Sequence, residues 1–221
     1  MTVLTELERR VYNWIAPTKL AFWTLVITAE LLALGIYFAA GAQVTTVRYV
    51  VYPLVWINVG LWIALNVRPR AANRRVKLLA GGVGVGYFLV LTWFAGLYGF
   101  ATSDSSMGLS VTMASPGFGP IVGYFGATIY VLAVPYLLVG YLALAYLVYD
   151  AALDATRAAL PGVLGLASCV GCAFPIVATI LAGVAGGSSG LVTTVYAHSM
   201  DISTLAFIFA VAVLYWRPGM N

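Results

Sequence analysis

Charge is what this chain has least of. Charged residues make up 8% of its 221 positions, against 62% hydrophobic, and its mean hydropathy is +0.99. A water-facing shell needs roughly a quarter charged residues, so a soluble globular domain of this size is excluded. Cysteine is almost as scarce. Cys169 and Cys172 are the only two, which excludes a disulfide framework and confines any bridge to a local one. Histidine occurs once, as His198. The net charge of +4 and pI near 9.1 do not imply nucleic acid, because membrane proteins gather Lys and Arg on their cytoplasmic loops and the sign must be read by position.

What is present is long apolar sequence. At about 20 residues per helical crossing, the length accommodates roughly five to seven crossings and leaves no separate globular domain. The apolar runs are Leu20–Ala40, Thr46–Asn66, Leu78–Phe100, Gly119–Tyr149, Leu160–Ala185 and a last stretch between Leu191 and Trp216. They predict an all-α integral membrane protein of about six transmembrane helices. Residues 1–19 form a cytoplasmic amphipathic interfacial helix in this reading, with Leu7, Val11, Trp14 and Ile15 on one face and Glu6, Glu8, Arg9 and Arg10 beside them. The acidic pair argues against a cleaved secretory signal. Residues 20–217 then make the transmembrane domain, and residues 218–221 a short cytoplasmic tail.

With both termini inside, the inner segments hold Arg9, Arg10, Lys19, Arg68, Arg70, Arg74, Arg75, Lys77, Arg157 and Arg217, leaving only Arg48 outside. That bias orients the chain with both termini on the cytoplasmic side of its membrane. Outer connections fall near Gly41, across Ala101–Phe118 and at Gly186–Gly190, all of turn-like composition. Leu191–Ser199 is either the outer extension of the last span or a separate segment on the outer surface, and Asp201 followed by Ser203 suits the cap of a helix starting there. Gly81, Gly82, Gly84 and Gly86 sit within an apolar run with no strand before them, so they suggest a packing face between helices and not a dinucleotide loop.

Two places could carry chemistry within the spans. Glu30 stands mid-span in the first, where an ionised carboxylate is expensive and wants a partner. Asn58, at similar depth in the second, is the simplest one, and a midplane proton or ion site is the functional alternative. Cys169 and Cys172 lie in Ser168-Cys169-Val170-Gly171-Cys172-Ala173-Phe174-Pro175, on one helical face. Pro175 cannot donate to the carbonyl of Gly171, so the helix should loosen between the thiols. Two soft sulfurs there suit Cu(I) or reversible thiol–disulfide exchange, against the plain alternative of small buried residues that let helices approach. At the outer edge, His198 and Met200 offer imidazole and thioether, ligands that together suit copper, with Met107 and Met113 in the outer loop. About 16 residues, or roughly 24 Å of helix, separate the outer end of the fifth span from Cys169, so one site cannot contain all these ligands, whereas a relay of two sites could.

The pattern of an interfacial helix, short-looped spans and Ser-Cys-Val-Gly-Cys-Ala-Phe-Pro resembles uncharacterised archaeal membrane proteins, particularly haloarchaeal ones, associated with haem-copper terminal oxidases and small blue-copper carriers. That resemblance implies a respiratory accessory or assembly role. Cys169, Cys172 and Pro175 are also locally similar to membrane thiol–disulfide carriers of the cytochrome c biogenesis type, although those place their reactive cysteines on two different helices. The expectation is therefore a non-enzymatic copper-handling accessory factor of oxidase maturation, with the lipid bilayer, a membrane oxidase or an extracytoplasmic copper carrier as partners. The alternatives are a membrane thiol oxidoreductase with a thioredoxin-like partner, a small permease built on Glu30 and Asn58, and a purely structural subunit.

Overall fold

Polar side chains inside these apolar helices satisfy themselves on their own backbone. The Thr24 and Thr28 hydroxyls donate to the carbonyls of Leu20 and Thr24 at 2.9 and 2.7 Å. The Asn58 and Asn66 amides donate to the carbonyls one turn back, Leu54 and Trp62, each at 2.8 Å. Thr92 donates to Phe88 at 2.8 Å. A backbone surrounded by hydrocarbon has no water to turn to, and this back-bonding keeps such residues compatible with it.

The computed structural model describes residues 17–39, 46–69, 72–101, 107–112, 119–155 and 199–216. They form helices α1 (Pro17–Ala39), α2 (Arg48–Asn66) and α3 (Arg74–Phe94), then strands β1 (Tyr98–Phe100), β2 (Gly108–Thr112), β3 (Ile121–Phe125) and β4 (Ile129–Ala133). Helices α4 (Pro135–Ala155) and α5 (Ser199–Trp216) follow. The chain divides into two units, Met1–Thr45, which contains α1, and Thr46–Asn221, which contains everything else.

In the second unit α4 is the central helix, packed on α2, α3 and α5. Its buried residues Tyr136, Leu144, Leu147 and Val148 meet Trp56 and Ile63 of α2, Tyr87 and Leu91 of α3, and Phe207, Val211 and Leu214 of α5 in one core. Close approach explains the glycines that matter. A Cβ on Gly84 would lie 3.1 Å from the Ala145 carbonyl oxygen and 3.3 Å from Tyr149 Cβ, so α3 meets α4 there backbone to backbone. Among the described residues nothing lies within 4 Å of a Cβ placed on Gly81, Gly82 or Gly86, whereas Gly84 has such a neighbour.

The strands form one antiparallel sheet in the order β1-β4-β3-β2. Tyr98 pairs with Val131, Val131 with Tyr124, and Tyr124 with Leu109 across its width. This overturns the all-α expectation. The apolar run Gly119–Tyr149 is not one span but a hairpin, β3 and β4, followed by the start of α4. A continuous apolar run does not distinguish helix from strand, and Ile121, Val122, Tyr124, Phe125, Ile129, Tyr130 and Val131 are the β-branched and aromatic types that favour strands. The expected outer loop likewise contains β2.

The span count is corrected as well. Among the described residues three helices are long and apolar enough to cross a membrane, Lys19–Ala39, Arg74–Phe94 and Pro135–Leu153, not six. The apolar parts of α2 and α5, Val50–Asn66 and Ser203–Trp216, are shorter. Arg48 at the start of α2 and Asp201 at the start of α5 bring charge into the runs that had been read as full spans. Of the expected interfacial helix over 1–19, residues 17–19 belong to the start of α1 and residues 1–16 lie outside the described residues, as does the run Leu160–Ala185.

Candidate functional site

Successive contacts give the helix directions. Along α2, residues 56, 60 and 67 meet positions 136–141, 139–143 and 146 of α4, so the two run the same way. Residues 48, 56 and 62 of α2 meet 201, 207 and 215 of α5, which is also parallel. The N-termini of α2, α4 and α5 therefore share one end of the bundle with the sheet. The opposite end carries Arg68, Arg74, Arg75 and Lys77.

At the sheet end, α2 and α5 are joined by a polar cluster. Arg48 Nη1 donates to Asp201 Oδ2 at 3.1 Å, and the Tyr52 hydroxyl donates to Asp201 Oδ1. One turn deeper, the buried Trp56 Nε1 donates to Thr204 Oγ1 at 3.2 Å. The Trp56 ring then stacks on Phe207, with centroids 4.1 Å apart and planes 10° from parallel. Edge contacts to Tyr136 at 5.8 Å and Tyr141 at 5.6 Å complete its surroundings. The sequence makes this seam by spacing. Arg48, Tyr52 and Trp56 recur every four residues on α2, and Asp201, Thr204 and Phe207 every three on α5, which places each set along one side of its helix.

Asp201 is thus not the cap of a helix beginning after it. The helix begins at Ser199, and the carboxylate stands in its first turn, where the helix N-terminus favours negative charge, while both of its oxygens accept bonds from α2. Such a carboxylate is a strut and an anchor more than a base. Replacing Asp201 with Ala removes two charge-assisted acceptors, an expected cost of about 1–3 kcal/mol. The lower part of that range applies, because the Arg48 side chain is 39% exposed and solvent screens it. Thermal unfolding in detergent checks this, with Asp201→Asn keeping part of the stability through its remaining acceptor.

Among the expected site residues, Met200 lies half-buried in the first turn of α5, directly before the anchored Asp201. His198 precedes that helix and, like Cys169, Cys172 and Pro175, lies outside the described residues. Glu30 is half-buried on α1 in the first unit, and Asn58 belongs to the second, with its amide bonded to its own helix. Among the described residues no group of three or more His, Cys, Asp and Glu is placed to hold a metal ion. Sequence reasoning missed Tyr52, Trp56 and Thr204, although the four-residue spacing from Arg48 could have pointed to the first two. It also missed Asp150, a buried carboxylate on α4 one turn beyond Tyr146, whose hydroxyl donates to the Val67 carbonyl at 3.0 Å.

Three helices of membrane-crossing length and composition and an aromatic-centred bundle define a membrane-associated helical protein capped at one end by a small sheet. Residues 1–221 match the profile of a family of unknown function, DUF7546, and the chain belongs to that family. No curated protein and no solved structure matches it.

Proposed function

We propose that this protein is a polytopic, non-enzymatic accessory factor of a prokaryotic plasma membrane that handles Cu(I) for maturation of a membrane oxidase. Its basic end and both termini face the cytoplasm, and its sheet end faces outward. The observation that carries the copper reading is the Arg48–Asp201–Tyr52 anchor, which holds the first turn of α5 against α2. That turn carries Met200 and follows His198 directly. An imidazole and a thioether beside a fixed turn suit capture of copper from an extracytoplasmic carrier. The exposed Met107 belongs to the same end, just before β2. Cys169 and Cys172 would be the soft ligands that receive the ion.

The orientation rests on the basic residues at the end opposite the sheet. Multiple passage through the membrane is supported by the chain's course, since it leaves that basic end at Ala155 and re-enters the bundle at the sheet end at Ser199. A transport site at Asn58 has less support, because its amide bonds Leu54 and the neighbouring bundle centre is filled by Trp56.

Copper content and free-thiol count on detergent-purified protein test the reading. Wild type loaded with Cu(I) should retain near-stoichiometric metal, Cys169→Ser/Cys172→Ser should lose it, and His198→Ala/Met200→Ala should load more slowly. Two free thiols and no retained copper in the wild type overturn metal handling. A mixed disulfide trapped by Cys172→Ser would point instead to thiol exchange.

A further inference from the structure

One face of the sheet is apolar and exposed, which is unusual for a sheet in water. Its register puts Tyr98, Val131, Tyr124 and Leu109 in one row across the strands, and Ala133, Val122 and Val111 in the next, on a single face. Phe100 and Ile129 extend that face. It is exposed, with Phe100 and Leu109 each at 72% and Tyr124 at 55%. The other face turns toward the bundle, since Gly123 is buried and Ile121 packs against the core. An antiparallel sheet with one solvated side places its apolar alternates inward and its polar ones outward. β2 departs from this, since all five of its residues are exposed and its two large apolar side chains are among them. Leu109 and Val111 belong to the outward face, while Ser110 and Thr112 share the side of Gly123 and Ile121. The four strands contain no charged residue.

Two further observations say what covers this face. Trp93, on the last turn of α3, makes edge contacts with Tyr98 at 5.3 Å and Phe100 at 5.9 Å. The Tyr98 hydroxyl donates back to the Leu89 carbonyl at 2.8 Å. The outward face therefore continues without a break into the exposed apolar flank of α3, formed by Val85, Leu89, Val90 and Trp93. The sheet is also short-tethered, with β1 beginning four residues after α3 ends and α4 beginning two residues after β4 ends. A surface so held to the ends of two membrane-length helices stays at the level of the lipid headgroups. Tryptophan and tyrosine are the residues that settle there.

We propose that the outward face of the sheet is a lipid-docking surface, lying in the membrane–water interface at the sheet end of the bundle. This rests on the membrane reading above. At headgroup depth the free edge of β2 keeps its water-bonded N–H and C=O groups, which the hydrocarbon interior would not allow, while the Leu109, Val111, Tyr124 and Ile129 side chains reach the acyl boundary. The sheet would then fix the depth and tilt of α3 and α4.

Spin labels on the full-length protein in phosphatidylcholine–phosphatidylglycerol vesicles test it. Single cysteines are placed at 109, 110, 111 and 112 in a Cys169→Ser/Cys172→Ser background, with Leu89→Cys on α3 as the membrane reference. All four β2 positions are exposed, so substitution there should leave the fold intact. The expected result is an alternation, with high oxygen and low aqueous-nickel accessibility at 109 and 111 and the opposite at 110 and 112. Uniform nickel accessibility along β2, with position 89 still shielded from nickel, overturns the lipid surface and leaves the membrane reading standing. Nickel access at 89 as well overturns both. Shielding of 109 and 111 from both reagents overturns lipid docking in favour of protein cover, and spin–spin broadening would identify that cover as a second copy.

Discussion

Trp56→Ala is expected to lower stability by about 3–5 kcal/mol, the cost of emptying a packed tryptophan site. The side chain is 3% exposed and joins three helices at once. Truncation deletes the stack on Phe207, the edges against Tyr136 and Tyr141, and the Thr204 bond. Lipid adds little force between apolar helices, so packing of this kind carries much of their association. The change should appear as a lower unfolding midpoint in mixed detergent–SDS micelles, followed by far-ultraviolet circular dichroism. Trp56→Phe should recover most of the loss, since it keeps a ring on Phe207 and forgoes the indole donor. A Trp56→Ala loss under about 1 kcal/mol, the scale of an ordinary surface change, would mean that the seam does not hold these helices together.

Gly140→Val is the complementary change, overfilling the same place. A Cβ at Gly140 would stand 2.9 Å from Trp56 Cζ3 and 3.3 Å from Cδ2, with the neighbouring ring carbon closer still. The indole is already held by its neighbours, with Phe207 stacked on its face and Tyr136 and Tyr141 in edge contact. Overpacking in a close-packed core typically costs about 1–3 kcal/mol, and a branched side chain here should fall at the top of that range. Combining it with Trp56→Ala gives the decisive comparison. The double variant should lose much less than the two single losses added, because the valine then fills the space the indole has left. A double-mutant cycle in the same micelles reads that coupling directly, and additivity would show that the two residues do not share a space.

The helices were legible and the sheet was not, for a reason visible in particular residues. α1 and α3 carry uninterrupted apolar sequence of membrane-crossing length, and composition alone locates them, whereas α4 was legible only as the end of the longer run from Gly119. The run from Gly119 was equally apolar, and its length concealed two short strands around the turn at Gly126, whose N–H donates to the Ile129 carbonyl at 2.9 Å. Alternation, the usual mark of a half-buried strand, was absent from β3 and β4 because both their faces are apolar. At the candidate site, Arg48 stood out as the lone outer cation and Asp201 as a helix-start residue, each read on its own. Their partnership joins positions 153 residues apart, and only a tertiary fold reveals such a pairing.

That separation bears on how the molecule is assembled. The ribosome makes α2 before α5, at about 5–20 residues per second. The stretch between Arg48 and Asp201 therefore takes on the order of ten seconds or more to synthesise at that rate. Through that interval Trp56 has neither Thr204 nor Phe207 beside it, and Arg48 has no carboxylate. A bundle whose seam needs a helix made so long after its partner waits half-finished, and biogenesis is the stage at which its seam residues are most open to capture or quality control.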